Sequence, residues 1–115
     1  MKKLQKPGSI KNSSQKIGII GVGYVGLPLA VNFSKHFNTV AYDNNVLRIK
    51  ELTKGFDRNL DYEKNNLIKK KLIFSYDYNQ LKSCNVYIIT LPTPLNKKNL
   101  PNLKMVLSAT VKISK

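Results

Sequence analysis

The feature that most constrains the fold of this chain is a glycine pattern placed directly after a short apolar run. The run, Lys16–Ile20, is rich in β-branched residues and predicts a buried strand. Three glycines follow with the spacing Gly-x-Gly-x-x-Gly, namely Gly21, Gly23 and Gly26. The spacing alone is weak, but a preceding strand, a following helix and an acid at the end of the next strand make it specific. Asp43 supplies that acid, 22 residues after Gly21.

Each of these residues has a predicted physical task. Gly21 permits a tight turn, Gly23 lets the backbone approach a pyrophosphate, and Gly26 lets the helix pack against the strand. The N-terminus of the helix then offers free N–H groups and partial positive charge to the phosphates. We expect Asp43 to accept hydrogen bonds from the adenosine ribose, which favours NAD over NADP because a 2′-phosphate would be repelled. The alternative is a glycine-rich turn of structural value only.

Strands and helices alternate in the rest of the predicted pattern. Pro28 belongs in a first helical turn, so the first helix should begin near Tyr24 or Val25 and run to about residue 35. Further helices are predicted from a cap at Asn44 or Asn45 to Gly55, from a cap at Asp61 to about residue 71, and from 103 to 115. A helical turn is predicted at 79–82, loops at 56–60 and 91–101, and further strands at 39–42, 72–75 and 86–90.

This alternation indicates an α/β protein with a parallel sheet covered on both faces. We predict a Rossmann-like three-layer fold with strand order 3-2-1-4, comprising the incomplete N-terminal part of such a domain. The apolar positions assigned to the helix faces are Val25, Leu29, Phe33, Val46, Ile49, Leu52, Leu67, Ile68, Leu103, Val106, Leu107 and Val111.

The length of 115 residues fits one domain, which we divide into a flexible basic tail at 1–15 and a partial NAD-binding domain at 16–115. No signal peptide or membrane-length apolar run is present in the sequence, and the single Cys84 agrees with a reducing compartment, so we expect a cytoplasmic protein without a membrane partner. The formal net charge is +14. Lysines spread over the surface explain it better than nucleic-acid binding, because no aromatic–basic motif accompanies them.

Four further residues have side chains that could bind a ligand or take part in catalysis. Arg48, early in the second predicted helix, is either a contact to the adenosine part of the cofactor or a solvent-facing arginine. Thr93 follows the fourth strand, where ligands of such sheets bind, although the surrounding prolines also suit a rigid turn. Cys84 and His36 are expected to be inert, and neither a catalytic residue nor a metal site is expected in this chain.

Four segments together resemble the UDP-glucose/GDP-mannose dehydrogenases. They are KIGIIGVGYVGLPLA at 16–30, Tyr-Asp at 42–43 with Arg-Ile at 48–49, GFDRNL at 55–60, and NVYIITLPTP at 85–94. Within this family the chain looks most like the UDP-N-acetylhexosamine 6-dehydrogenases of bacterial surface-polysaccharide pathways. The resemblance covers essentially all of the chain from Lys16 onward.

The resemblance implies oxidation of the carbon-6 alcohol of a UDP-sugar to a carboxylate, with two NAD molecules and a nucleophilic cysteine. Tyr24 and Val25 would line the phosphate turn, Asp43 and Arg48 would contact the adenosine end of NAD, and Thr93 would touch the cofactor. The family's Glu-Ser-Thr motif, dimerising helix, catalytic lysine and cysteine would all lie beyond Lys115, and Cys84 does not match that cysteine. We therefore expect this portion to be inactive alone, with substrate binding and homodimer formation belonging to the full-length family.

Two other functions remain open from the sequence. The chain could be a stand-alone module that senses NAD without turnover, or a basic protein that binds nucleic acid with part of a Rossmann fold. The identity of the nucleotide sugar is not encoded in the residues present.

Overall fold

The computed structural model describes residues 15–92 and Leu107, and it has four strands and four helical segments in the range 15–92. The strands are β1 (Lys16–Ile20), β2 (Asn38–Tyr42), β3 (Leu72–Ser75) and β4 (Val86–Ile89). The helices are α1 (Gly26–Phe33), α2 (Val46–Thr53) and α3 (Lys64–Leu67), and a 3₁₀ helix spans Tyr78–Ser83. The predicted tail at 1–15 (except Gln15), most of the loop at 91–101 and the helix at 103–115 (except Leu107) lie outside the described residues. Leu107 is helical as predicted, but it is exposed rather than buried on an apolar face.

The four strands form one parallel sheet in the order β3-β2-β1-β4, which confirms the predicted order. In its centre, Ile19 of β1 is paired with Ala41 of β2 on one side and with Ile88 of β4 on the other. Because all strands run in the same direction, their carboxyl ends meet at one edge of the sheet. In open sheets of this kind, that edge is where ligands bind.

The two faces of the sheet are covered by different elements. Alternate residues of a strand point to opposite faces, and Ile17 and Ile19 of β1 pack into a core shared with α1, α2 and α3. Ile20 faces the other way, into a smaller core with Leu81 of the 3₁₀ helix and Cys84. Ile19 is fully buried, and burying a side chain of this size contributes roughly 1.5–3 kcal/mol. The result is the predicted Rossmann-like arrangement of layers.

Helix α1 begins at Gly26, with Val25 as its N-cap, one or two residues later than predicted. Pro28 therefore occupies the first turn, as expected from its missing N–H group. The assignment of Val25 to the apolar stripe is wrong, because Val25 precedes the helix and is 64% exposed. The helix also ends at Phe33 rather than near residue 35, and the hydroxyl of its C-cap residue, Ser34, donates to the carbonyl of Val31.

Helix α2 is capped by Asn45, one of the two predicted caps. The Asn45 side chain accepts a hydrogen bond of 3.1 Å from the N–H of Arg48. Gly55 ends this segment with φ of +87°, a left-handed conformation that suits glycine. Ile49 and Leu52 are buried as predicted, whereas Val46 is largely exposed and was wrongly placed on the apolar face.

The helix predicted from Asp61 to about residue 71 is wrong. Only Lys64–Leu67 is helical, and its cap is Glu63. Leu67 is buried as predicted but Ile68 is 52% exposed, so a single apolar anchor holds this segment, which is too little to stabilise a longer helix. Strand β4 ends at Ile89, one residue before the prediction, although the N–H of Thr90 still donates to the carbonyl of Ile20.

Candidate functional site

The candidate site lies where the carboxyl ends of β1, β2 and β4 meet. Residues 21–26, which we call the glycine turn, connect β1 to α1 at this edge. Gly21 has φ of +99°, which only glycine adopts easily. Its N–H donates to the carbonyl of Tyr42 at 2.8 Å, and the N–H of Thr90 donates to the carbonyl of Ile20 at 2.8 Å. The end of β1 is therefore fastened to both neighbouring strands.

Gly26 lies so close to Gly21 that no side chain fits between them. A Cβ atom on Gly26 would collide with the carbonyl oxygen of Gly21 and would lie 2.6 Å from the hydroxyl oxygen of Thr90. That hydroxyl also donates to the carbonyl of Gly21 at 2.7 Å. The first residue of α1 is thus pressed against the end of β1, so the helix axis starts at the sheet edge.

The outer side of the glycine turn is open. A Cβ atom on Gly23 would meet no protein atom within 4 Å, and Tyr24 and Val25 are exposed. Within the described part of the chain, the backbone N–H groups of Gly23, Tyr24 and Val25 donate to no other residue. Free N–H groups at the start of a helix, beside empty space that a side chain would otherwise fill, suit a bound phosphate group.

Asp43 lies against the glycine turn, directly after β2. One carboxylate oxygen accepts from the N–H of Val22 at 2.9 Å, and the other accepts from the N–H of Asn45 at 2.9 Å. The side chain is half-buried, and each carboxylate oxygen has capacity for a further hydrogen bond. Asp43 can therefore hold the turn and still accept hydrogen bonds from a ligand hydroxyl.

Arg48 points into the protein beneath the glycine turn. Its Nε donates to the carbonyl of Val22 at 3.1 Å, and its Nη1 lies 2.9 Å from Oδ1 of Asp57. The residue is 8% exposed, so the solvent-facing alternative for Arg48 is wrong. Nη2 is buried and has no hydrogen-bond partner among the described residues.

Asp57 is the anionic partner of Arg48 and is almost fully buried. Its carboxylate also accepts from the N–H groups of Asn59 and Asp61. Burial raises the pKa of Asp57, but the hydrogen bonds from Arg48 and from the two N–H groups outweigh burial, and the pKa lies below its ordinary value. Asp57 is therefore ionised under neutral conditions.

Sequence reasoning did not identify Thr90 or Asp57 as parts of this site. The sequence predicts Thr90 only as part of the fourth strand, but its hydroxyl contacts the carbonyl oxygens of Ile20 and Gly21 where the glycine turn begins. Its position next to β1 follows from the strand order and could have indicated this contact. Asp57 was part of the GFDRNL segment without an assigned role, and no local pattern shows that this loop returns to Arg48.

The other candidates lie away from the glycine turn or outside the described residues. Cys84 is buried near the amino end of β1, since the N–H of the next residue, Asn85, donates to the carbonyl of Lys16. Burial raises the pKa of the Cys84 thiol, partly offset by the charge of Lys16. His36 is exposed beyond the end of α1, and Thr93 is not among the described residues.

Residues 15–92 and Leu107 contain neither a cluster of metal-ligating side chains nor a membrane-spanning helix. No group of three or more His, Cys, Asp or Glu side chains is placed to hold a metal ion there. No helix in that part of the chain is both long and apolar enough to cross a membrane.

Comparison with known families and curated proteins gives consistent matches. Residues 15–115 match the model described as the UDP-glucose/GDP-mannose dehydrogenase family, NAD binding domain. The UDP-N-acetyl-D-glucosamine 6-dehydrogenase of Salmonella typhi is 45% identical over 96 residues, which cover 83% of this chain and 23% of that protein. The enzyme of the same name from Pseudomonas aeruginosa is 40% identical over 101 residues, covering 87% of this chain and 24% of that protein.

Solved structures give the same result. The structure of UDP-D-ManNAc dehydrogenase from Pyrococcus horikoshii superposes with a TM-score of 0.79 at 30% identity, covering 86% of this chain and 25% of that one. The chain spans about a quarter of the length of the proteins that it matches.

Proposed function

This chain belongs to the UDP-glucose/GDP-mannose dehydrogenase family, and because it matches the NAD binding domain of that family, we propose that its glycine turn holds the pyrophosphate of NAD. The observation that carries the proposal is the open side of the turn. The backbone N–H groups of Gly23, Tyr24 and Val25 have no acceptor among the described residues, and a Cβ atom on Gly23 would fill the adjoining space. Two phosphate groups offer the acceptors that these donors lack.

The cofactor's adenosine end is proposed to lie over β2. Asp43 follows that strand and keeps hydrogen-bonding capacity for the ribose hydroxyls after binding Val22 and Asn45. Its charge would oppose the additional phosphate of NADP. We retain Arg48 as a residue near the adenosine end, because its Nε binds the carbonyl of Val22 in the glycine turn, and Thr93 as a contact beyond β4.

For the whole protein we propose a 6-dehydrogenase that acts on a UDP-linked N-acetylhexosamine. The names of the Salmonella and Pseudomonas relatives support this substrate class. NAD would accept the hydride that leaves carbon 6, and two such oxidations convert the alcohol to a carboxylate. We assign no catalytic residue to the present chain, because Cys84 is buried near the amino end of β1. Alone, it is expected to bind NAD without reducing it.

The full-length protein is proposed to act as a cytoplasmic homodimer. The buried thiol of Cys84 is compatible with a reducing compartment. The interface and the sugar site would both lie in the part of the family enzyme that this chain does not match.

The proposal is tested by titrating this chain with NAD and with NADP in a calorimeter. We expect NAD to bind at least about tenfold more tightly than NADP, a difference of roughly 1.4 kcal/mol. At ten times its dissociation constant, NAD should raise the free energy of unfolding by about 1.4 kcal/mol. Absence of NAD binding would refute the proposal, and binding of DNA with a steep salt dependence would favour the nucleic-acid alternative.

A single variant connects this binding to the glycine turn. In Gly23→Ala the new methyl group meets no protein atom, so the fold should be retained while the space for the pyrophosphate is filled. We expect NAD affinity to fall at least about tenfold with the thermal unfolding midpoint unchanged or slightly raised. Gln80→Ala, an exposed change on the 3₁₀ helix, is the control and should bind NAD normally. Equal NAD affinity in both variants would place the pyrophosphate elsewhere.

A further inference from the structure

We infer that Asp57 is a positioning residue for the glycine turn: it holds Arg48 so that Arg48 fixes the peptide plane between Val22 and Gly23. The Gly23 N–H is thereby presented to the pyrophosphate. This inference rests on the proposed function for its consequence in cofactor binding. Its structural part concerns only contacts within the chain and can be measured without cofactor.

Arg48 contacts the glycine turn directly. Nε of Arg48 donates to the carbonyl oxygen of Val22 at 3.1 Å, and both groups are buried. The N–H of the same residue, Val22, donates to Asp43 at 2.9 Å. The peptide planes on both sides of Val22 are therefore held, one by a carboxylate and the other by a guanidinium group.

The geometry of the peptide bond relates the Val22 carbonyl to the N–H of Gly23. The described peptide bonds are trans, so a carbonyl and the N–H of the next residue point in opposite directions. Since the Val22 carbonyl points to the buried Arg48, the Gly23 N–H points away from it. That N–H is one of the turn's donors without an acceptor among the described residues. Holding the carbonyl on one side thus aims the donor on the other.

The position of Arg48 depends in turn on Asp57. A buried guanidinium group requires a compensating charge, and Asp57 supplies it through the 2.9 Å contact with Nη1. Asp57 is itself fixed by the N–H groups of Asn59 and Asp61. The loop after α2 therefore determines where the guanidinium group lies, although no atom of this loop would come within 4 Å of a Cβ atom on Gly23.

The same contacts bear on cofactor choice. An arginine after the second strand can bind the 2′-phosphate of NADP in related folds. Here Nε and Nη1 are occupied inside the protein, and the charge of Arg48 is balanced by Asp57. Asp57 therefore keeps Arg48 inside the protein, where it cannot bind a 2′-phosphate. Loss of Asp57 should free Arg48 for that contact and so lower the preference for NAD over NADP.

The test compares Asp57→Asn with Asp61→Asn, which makes the same change of charge in the same loop at an exposed side chain. We expect Asp57→Asn to weaken NAD binding about tenfold and to lower the ratio of NAD to NADP affinity. Asp61→Asn should leave both within about twofold. In an Arg48→Met background, Asp57→Asn should have no further effect on NAD affinity, because Asp57 acts through Arg48. A full effect in that background would overturn the inference.

The cofactor-free chain provides the second measurement. In ¹⁵N NMR spectra, Asp57→Asn should shift the Gly23 amide and the Arg48 Nε–H resonances and should speed the exchange of the buried Arg48 Nε–H with water, while Asp61→Asn leaves both resonances unchanged. If Asp57→Asn does not fold, Arg48→Lys serves instead. The single ammonium group of lysine cannot replace both Nε, which binds Val22, and Nη1, which binds Asp57. The resonance of the Gly23 amide should therefore still shift. An unmoved Gly23 amide would refute the inference even if NAD binds, and a shift without NAD binding would refute the proposed function alone.

Discussion

At the scale of single residues, Gly23 and Gly26 serve different purposes within one spacing pattern. A Cβ atom on Gly26 would collide with backbone, whereas one on Gly23 would enter empty space. Gly26 is therefore required by the protein's own packing, and Gly23 leaves room for something outside the chain. One sequence pattern thus contains a glycine needed for stability and a glycine needed for ligand binding, and the structure distinguishes the two.

We predict that Gly26→Ala destabilises the chain by about 3 kcal/mol, because the methyl group displaces the Gly21 carbonyl and the Thr90 hydroxyl. Urea unfolding followed by circular dichroism measures this loss. Gly23→Ala is the matched control and should change the free energy of unfolding by less than about 1 kcal/mol. Equal stability of Gly26→Ala and the parent chain would show that α1 does not approach β1 this closely.

The residues of the site differ in how far the sequence could predict them. The glycine turn and the neighbouring position of Asp43 follow from local spacing and the general order of such sheets, so they were found. The pairing of Arg48 with Asp57 depends on the path of the loop after α2, which returns to the start of the helix that it has just left. Nothing in the composition of that loop specifies such a return.

At the scale of secondary-structure elements, α2 connects the sheet to the candidate site. Its cap, Asn45, is held by Asp43 and in turn binds the N–H of Arg48. The start of this helix therefore places the two charged residues of the site relative to each other. The strands were predicted within about a residue because their sequences are short runs of mostly apolar residues, whereas α3 was not, since its sequence contains few apolar positions to define its length.

We predict that Asn45→Ala lowers the free energy of unfolding by about 1 kcal/mol, the usual value for a lost N-cap. Asn44→Ala is the matched control, because Asn44 is exposed and its side chain caps nothing in the described part of the chain. Thermal unfolding of the two variants gives the comparison. If both variants unfold at the same temperature as the parent chain, the Asn45 side chain does not stabilise α2.

At the scale of the whole molecule, positive charge is poorly compensated. The net charge is +14, and the two ion pairs within residues 15–92 involve arginines, Arg48 with Asp57 and Arg58 with Glu51. None of the lysines in that range forms one. Lys16 and Lys71 lie at the amino edge of the sheet, whereas Asp43 and Asp77 follow strands at the opposite edge. Repulsion among lysines should therefore oppose folding.

We predict that raising NaCl from about 20 to about 200 mM increases the thermal unfolding midpoint by a few degrees, because added salt screens this repulsion. Lys70→Glu should unfold at a higher temperature than the parent chain in low salt and should respond less to NaCl. Differential scanning calorimetry measures both effects. A midpoint that falls with added NaCl would mean that attractive charge pairs dominate instead.

The contact between Thr90 and the end of β1 sets the earliest time at which the site can be completed during synthesis. The hydroxyl of Thr90 binds the carbonyl of Gly21, 69 residues earlier in the chain. At 5–20 residues per second, a ribosome needs roughly 3–13 s to proceed from Gly26 to Thr90. Throughout that interval the nascent chain has its complete glycine pattern and an unpaired side of β1. Although β4 is next to β1 in the sheet, the site can therefore be completed only after Thr90 has been synthesised.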